Sequence, residues 1–272
     1  MCDTQPGILM PNIHPTALVD PRAEIDDTAV IGPFCIVGPN VRIGAGTELG
    51  PHCTIDGHTE IGRDNRFYRY CSIGGMPQDK KYADEPTRLV VGDRNTVREY
   101  VTFNTGTVQD GGVTTVGSDN WIMAYVHVAH DCHVGDRTII ANGVQLGGHV
   151  HVNDWAIVGG LTGVHQFCKI GAHCMIGGSS SIVQDIPPYV LCAGNPSKPH
   201  GVNTEGLKRR GFTPEVISAL RESYKILYRR GLSLDEARAE MLALGSTDPQ
   251  IGAAIGVTID FLGSSTRGIV RA

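Results

Sequence analysis

A parallel β-helix wound from six-residue sides, followed by a helical tail, is the fold class that this 272-residue sequence predicts. Three observations predict it: an unbroken hexapeptide period, an excess of glycine, and a late switch to helix-capping residues. Read in sixes from Ile13, the chain runs IHPTAL, VDPRAE, IDDTAV, IGPFCI, VGPNVR, IGAGTE, LGPHCT, IDGHTE, IGRDNR, FYRYCS. Every lead residue from Ile13 to Ile73 is large and apolar. A second run starts at Val116 and holds through Val128, Leu146 and Val164 to Ile182. A period of six suits neither a helix, at about 3.6, nor a simple strand, at about 2. It suits a solenoid in which each hexad is one short strand and one corner. Three sides close a triangle, so eighteen residues make a coil, and coils stack at about 4.8 Å.

The remaining hexad positions follow from that geometry. The lead aliphatic points inward. The fifth residue is small or medium, as at Ala17, Ala29, Cys35, Cys53, Cys71, Cys132, Cys168 and Cys174, and fills the space left inside. Cysteine there acts as a small hydrophobe, so disulfides are not expected. Glycine makes up 35 of the 272 residues, well above the usual share of about 7%. It recurs at the second position (Gly32, Gly38, Gly44, Gly50 and Gly62), where it is expected to supply corners of positive φ.

Two segments leave the pattern. GGMPQDKKYADEPTR would place Asp79 and Glu85 at core positions, so it is expected to be an external loop. TGTVQDGGVTT, 105–115, is a second excursion and shifts the phase by one residue. Long loops on a rigid scaffold are often functional. Pro187 and Pro188 end the period. Thr213-Pro214 reads as an N-cap and first helical residue, and Ser233 with Glu236 as a capping box. Three or more short helices are expected between 213 and 262. The predicted domains are therefore a repeat domain, 1–190, and a helical domain, 191–272.

Bulk properties exclude several functions. A net charge of −5 and a pI near 6.1 argue against a general nucleic-acid binder. No apolar run approaches the roughly 20 residues of a membrane helix, so no stable membrane insertion is expected. The opening MCDTQPGILMPNIHP has no basic region and no long apolar stretch, unlike a secretory signal. A cytoplasmic location is the resulting expectation.

The stretch VHVAHDCHVGD, 126–136, carries His127, His130 and His133 at even spacing. That spacing alone fits a zinc ligand set. On a triangular coil, however, His127 and His133 occupy equivalent places on successive sides, about 120° apart. A local three-histidine site is therefore disfavoured and no metal is expected. Stacking by eighteen instead gathers His130, His149, His165 and Gln166 on one edge, with His127 at the adjoining corner. His133 and His151 fall elsewhere and read as solvated surface. A histidine on such an edge suits a general base at neutral pH. Asp131 orients it if the corner turns the two neighbouring side chains together.

The hexads, HVAHDCHVG, GGLTGVHQF and GVNTEGLKRRGF together resemble the UDP-N-acetylglucosamine O-acyltransferases that begin lipid A synthesis. The resemblance spans almost the whole chain, to the final STRG. It implies a left-handed parallel β-helix, although parallel crossovers usually take the right hand. It implies a homotrimer with its active site in the cleft between subunits. The reaction it implies moves a 3-hydroxyacyl group from acyl carrier protein to the glucosamine 3-OH of UDP-N-acetylglucosamine. By the same resemblance His130 is the general base and the Gly148 backbone N–H the oxyanion donor. Gln78, Asp79 and Lys81 match substrate-binding positions, as do His127, His149, His165 and Gln166. Asn203, Glu205, Arg209 and Arg210 match nucleotide-contacting positions. Gly178 matches the residue that sets acyl length, and a glycine there implies a chain of the 3-hydroxymyristoyl class; it also reads as a plain hexad corner. Thr105 stands where the family pattern implies a basic residue. Arg221, Lys225, Arg229 and Arg230 form a stripe that either docks the acidic carrier protein or is a solvated helix face. Two other readings remain open: a sister transferase using a 3-amino sugar or another acyl donor, and a γ-type carbonic anhydrase with histidine-bound zinc.

Overall fold

The structure is a computed structural model that describes residues 12–246 and 248–271. The opening MCDTQPGILMP, part of the segment expected not to be a secretory signal, lies outside them. Its contacts group into two compact units, Met1–Asp131 and Cys132–Ala272. Each carries hexapeptide repeats wound as a left-handed parallel β-helix.

In the first unit, two-residue strands recur on three sides and pair in parallel with the coil above. Val30 pairs with Glu48, and Ile36 with Thr54, each eighteen positions on. Past the first excursion, Ile61 pairs with Val91, thirty positions on, so the loop adds twelve residues and keeps the phase. Past the second, Val91 pairs with Val116, twenty-five positions on; seven residues are added and the phase slips by one. Lead residues form the core: Ile31, Val37, Ile55, Phe67, Ile73 and Phe103 are all at most 1% exposed. In the first coil Ile13, Val19 and Ile25 are only half-buried.

The second unit continues the pattern with unbroken eighteen-residue steps, Ile139 to Ile157 to Met175. The strand Val190–Gly194 then turns back as an antiparallel hairpin with Ser197–Val202. Four helices follow: α1 (Thr204–Arg209), α2 (Pro214–Arg229), α3 (Leu234–Gly245) and α4 (Pro249–Ser264). Thr213 caps α2, accepting from the Val216 N–H. Ser233 and Glu236 form the expected capping box on α3. Helix α1 starts before the predicted region; Asn203 caps it and Lys208 and Arg209 close its last turn. The helices bury Ile226, Met241, Ile255 and Phe261 among themselves. Asp185 anchors the final segment, accepting from Ser265 Oγ at 2.6 Å while its backbone bonds Gly268 and Val270. Among the described residues no helix is long and apolar enough to cross a membrane. Replacing Ser233 by alanine removes the cap of α3 and is expected to cost roughly 1 kcal/mol, read as a lower urea midpoint at unchanged slope.

The corners differ from expectation. Positive φ belongs to the fourth hexad residue, not the second: Phe34, His52 and Tyr100 sit at +60°, Tyr70 and Tyr125 at +64°. The second-position glycines answer a different demand. A Cβ on Gly32 would lie 2.6 Å from the Leu49 carbonyl oxygen, and one on Gly44 2.8 Å from that of Gly62. The next coil's backbone occupies the space. Each left-handed non-glycine residue costs about 1–2 kcal/mol. Ring stacking offsets part of it: Phe34, His52, Tyr70, Tyr100 and Tyr125 form a continuous ladder at 4.9–5.0 Å spacing. The seven described cysteines are buried and form no disulfide among themselves, and burial pushes the thiols of Cys168 and Cys192 up to about 11. They are inert packing groups.

Candidate active site

In the first unit, His130 and Asp131 are brought together by the corner itself. Asp131 is the fourth residue of its hexad and adopts φ +57°, so its side chain swings back toward its neighbour. His130 Nδ1 lies 2.8 Å from Asp131 Oδ2. The carboxylate is wholly buried, and the imidazole is 13% exposed. An ionised Asp131 accepts the Nδ1–H, which leaves the ring's lone pair on Nε2. Asp131 is in turn held by Thr107, whose backbone N–H donates to Oδ1 at 2.7 Å and whose hydroxyl donates to Oδ2 at 2.6 Å. The Asp131 N–H donates to Thr114 Oγ1. His127 hydrogen-bonds Thr102 Oγ1 through Nδ1 at 2.7 Å. Burial, then the proximity of His130, lowers its pKa, which favours the neutral ring. In the first excursion Gln78 and Lys81 are exposed, and Asp79 Oδ1 accepts the Lys81 N–H.

Thr105 is buried, 3% exposed, and accepts from the Thr87 hydroxyl at 3.2 Å.

In the second unit, Gly148 is buried and His149 half-buried. The His149 ring stacks on Phe167 at 4.3 Å. His165 Nδ1 bonds the Gln166 carbonyl at 3.0 Å. Gly178 is exposed; a Cβ there would lie 3.2 Å from the Gly160 carbonyl oxygen. His133 and His151 correct the sequence reading. They are half-buried and pack on each other at 4.7 Å, because their strands pair directly.

The nucleotide-contacting candidates divide. Asn203 is 7% exposed with both side-chain polar atoms engaged: Oδ1 caps α1 through the Gly206 N–H and Nδ2 donates to the His173 carbonyl. Glu205 pairs with Lys208 at the surface. Arg209 is exposed. Arg210 donates to His173 Nδ1 at 3.1 Å and lies 5.1 Å from the Trp155 ring centroid. Sequence reasoning assigned nothing to Trp155 or His173. Their signal was positional, since both hold the left-handed fourth place, at +61° and +60°. Lys225 on α2 and Arg230 just past its end both pair with Glu222. The basic stripe therefore presents less free charge than its spacing implies.

Burial, then Arg210, lowers the pKa of His173 to about 4. The unfolded chain takes up this proton near 6.5, the folded chain only near 4. Stability is thus expected to fall as pH drops through that window and to level below it. Denaturant midpoints at pH 7.5 and 4.5 check this: His173→Phe should lose less stability between the two than the native chain.

Comparison with known proteins identifies the family. The family model described as Udp N-acetylglucosamine O-acyltransferase, Domain 2, matches residues 185–270. The model for bacterial transferase hexapeptide repeats matches 22–57 and 114–148. A relative from Burkholderia mallei (strain SAVP1), named acyl-(acyl-carrier-protein)–UDP-N-acetylglucosamine O-acyltransferase, is 60% identical over 96% of this chain and 100% of its own. The solved UDP-N-acetylglucosamine O-acyltransferase of Moraxella catarrhalis RH4 is 48% identical, with a TM-score of 0.92 over 96% of this chain and 100% of that one. The UDP-N-acetylglucosamine acyltransferase of Francisella novicida is 44% identical, also at 0.92, over 96% and 94%. Repeats, tail and near-complete overlap coincide, and the chain belongs to the UDP-N-acetylglucosamine O-acyltransferase family.

Proposed function

We propose that this protein transfers a 3-hydroxyacyl chain from acyl carrier protein to the glucosamine 3-OH of UDP-N-acetylglucosamine, the first step of lipid A biosynthesis. The observation that carries this reading is the buried His130–Asp131 pair, with Nδ1 at 2.8 Å from the carboxylate. It supplies a fixed lone pair at Nε2 to accept a hydroxyl proton. The freed oxygen attacks the thioester carbonyl, the C–S bond breaks, and the imidazolium returns its proton to the departing thiolate. By the family resemblance the Gly148 N–H is the oxyanion donor of this scheme, a role in which a fixed dipole is worth most. Of the nucleotide candidates, Arg210 is best prepared for a diphosphate, since His173 and Trp155 hold its guanidinium.

The acyl chain needs apolar surface, and the second unit offers a row of it. Ile139, Ile157, Met175 and Leu191 are register partners on one outer face, all partly or fully solvent-exposed. Gly160 and Gly178 lie side by side and present no side chains just before the following corner, which Leu161 and Ser179 hold. Donors of the 3-hydroxymyristoyl class suit such a trough. The working form in this proposal is a cytoplasmic homotrimer with each site in a cleft between subunits. Its functional division is the repeat domain, 1–190, and the tail, 191–272, which the family model spanning 185–270 supports.

The test is transfer from 3-hydroxyacyl carrier proteins of several lengths to UDP-N-acetylglucosamine, with and without chelator. Chelator-insensitive transfer is expected. Failure with every donor would sink the proposal, and loss only with chelator would return the histidines to a metal role.

A further inference from the structure

Among the described repeats the excursion at 105–115 is where the hexad phase slips, and its first residues converge on Asp131. Gly106 lies against the carboxylate: a Cβ there would come within 2.8 Å of Asp131 Oδ1. Thr107 follows, 1% exposed, with its N–H on Oδ1 and its hydroxyl on Oδ2. Thr114, at the far end of the excursion, accepts the Asp131 N–H. Thr107 also closes the loop on itself, its carbonyl accepting from Asp110 and Gly112. A regular hexad would run directly from Phe103 to the next corner and would have no residue free to turn both donors onto one carboxylate.

We propose that this excursion is a cradle for Asp131, and that Thr107 is a positioning residue for transfer, acting through Asp131 on His130. Two features support it over plain packing. Oδ2, the oxygen that faces His130 Nδ1, is also the one that takes the Thr107 hydroxyl. The threonine therefore fixes the direction of that oxygen and, through it, the plane of the imidazole. A buried carboxylate also needs hydrogen-bond donors to remain ionised, and two come from this single residue. The proposal rests on the reading of His130 as base.

The experiment is steady-state transfer by Thr107→Val, Thr107→Ser, Asp131→Asn, the double variant Thr107→Val/Asp131→Asn, and His130→Ala, each with a thermal melt. Misplacing a catalytic group by about 1 Å can cost roughly 100-fold. Thr107→Val should accordingly lower kcat by about 10- to 100-fold, with both KM values within about twofold. Thr107→Ser, which keeps the hydroxyl, should recover most of the rate. The double variant should be no slower than Asp131→Asn alone, as residues acting through one another are not additive. A native kcat in Thr107→Val, or a loss that repeats in full on Asp131→Asn, would overturn the proposal. If the valine variant does not fold, Thr107→Ser against Thr107→Ala decides, and equal rates overturn it. Native transfer by His130→Ala would instead remove the base assignment itself, and the cradle's role with it.

Discussion

Alanine at position 130 is expected to lower acyl transfer by about two to four orders of magnitude, the usual contribution of a positioned general base. The loss should fall on kcat, with both KM values nearly unchanged, because the imidazole acts on the reacting hydroxyl rather than on the nucleotide or the acyl chain. The fold should survive. Removing the ring leaves Asp131 with the N–H and hydroxyl of Thr107, and the imidazole it removes is 13% exposed, so water can take its place. His130→Ala thus separates chemistry from stability. Mass-spectrometric detection of the acylated sugar nucleotide, beside a melt of the same sample, reads both. Activity above about a tenth of native would mean that the hydroxyl is deprotonated by something else.

The architecture was legible because one geometric demand repeats. Every sixth side chain must fill the interior, and that demand tolerates only large apolar residues, so Ile31, Val37 and Phe67 announce the coil. The corners were illegible for the opposite reason. The fourth position adopts φ near +60° at Phe34, Asp64 and Trp155 alike, and its side chain points away from the core, so no residue type marks it. Glycine, the usual sign of such a corner, sits instead at the second position, where it yields to the neighbouring coil's carbonyl.

This misplacement propagates to the site. Adjacent residues diverge on a strand, so His130 and Asp131 looked only loosely paired. The left-handed corner at Asp131 is what joins them. Thr107 left a fainter trace, the single-residue slip in phase, which locates an anomaly without saying what it holds. Helix α1 was missed because six residues give no periodicity. Its signal lay in the ends, Asn203 as cap and Lys208 with Arg209 at the close.

Methionine at position 178 is expected to change which chains are transferred rather than whether transfer occurs. Gly178 is exposed and follows Met175 and Ile176, whose strand carries the apolar row Ile157–Met175–Leu191. In the proposed acyl-binding row, a side chain there would project into the space assigned to the distal part of a long acyl chain. 3-Hydroxymyristoyl exceeds 3-hydroxydecanoyl by four methylenes, and burying each contributes about 0.8 kcal/mol. Excluding all four costs about 3 kcal/mol, so the preference for the longer donor should fall by roughly 200-fold in kcat/KM. The competing account is local, because a Cβ at 178 sits 3.2 Å from the Gly160 carbonyl oxygen and a few tenths of an ångström must be found in the coil. Strain of that kind cannot distinguish donors. Gly178→Ala carries the same strain with almost none of the bulk, and should leave the ratio of the two donors close to native. If Gly178→Met slows both donors equally, the glycine serves coil packing alone and chain length is measured elsewhere along the row.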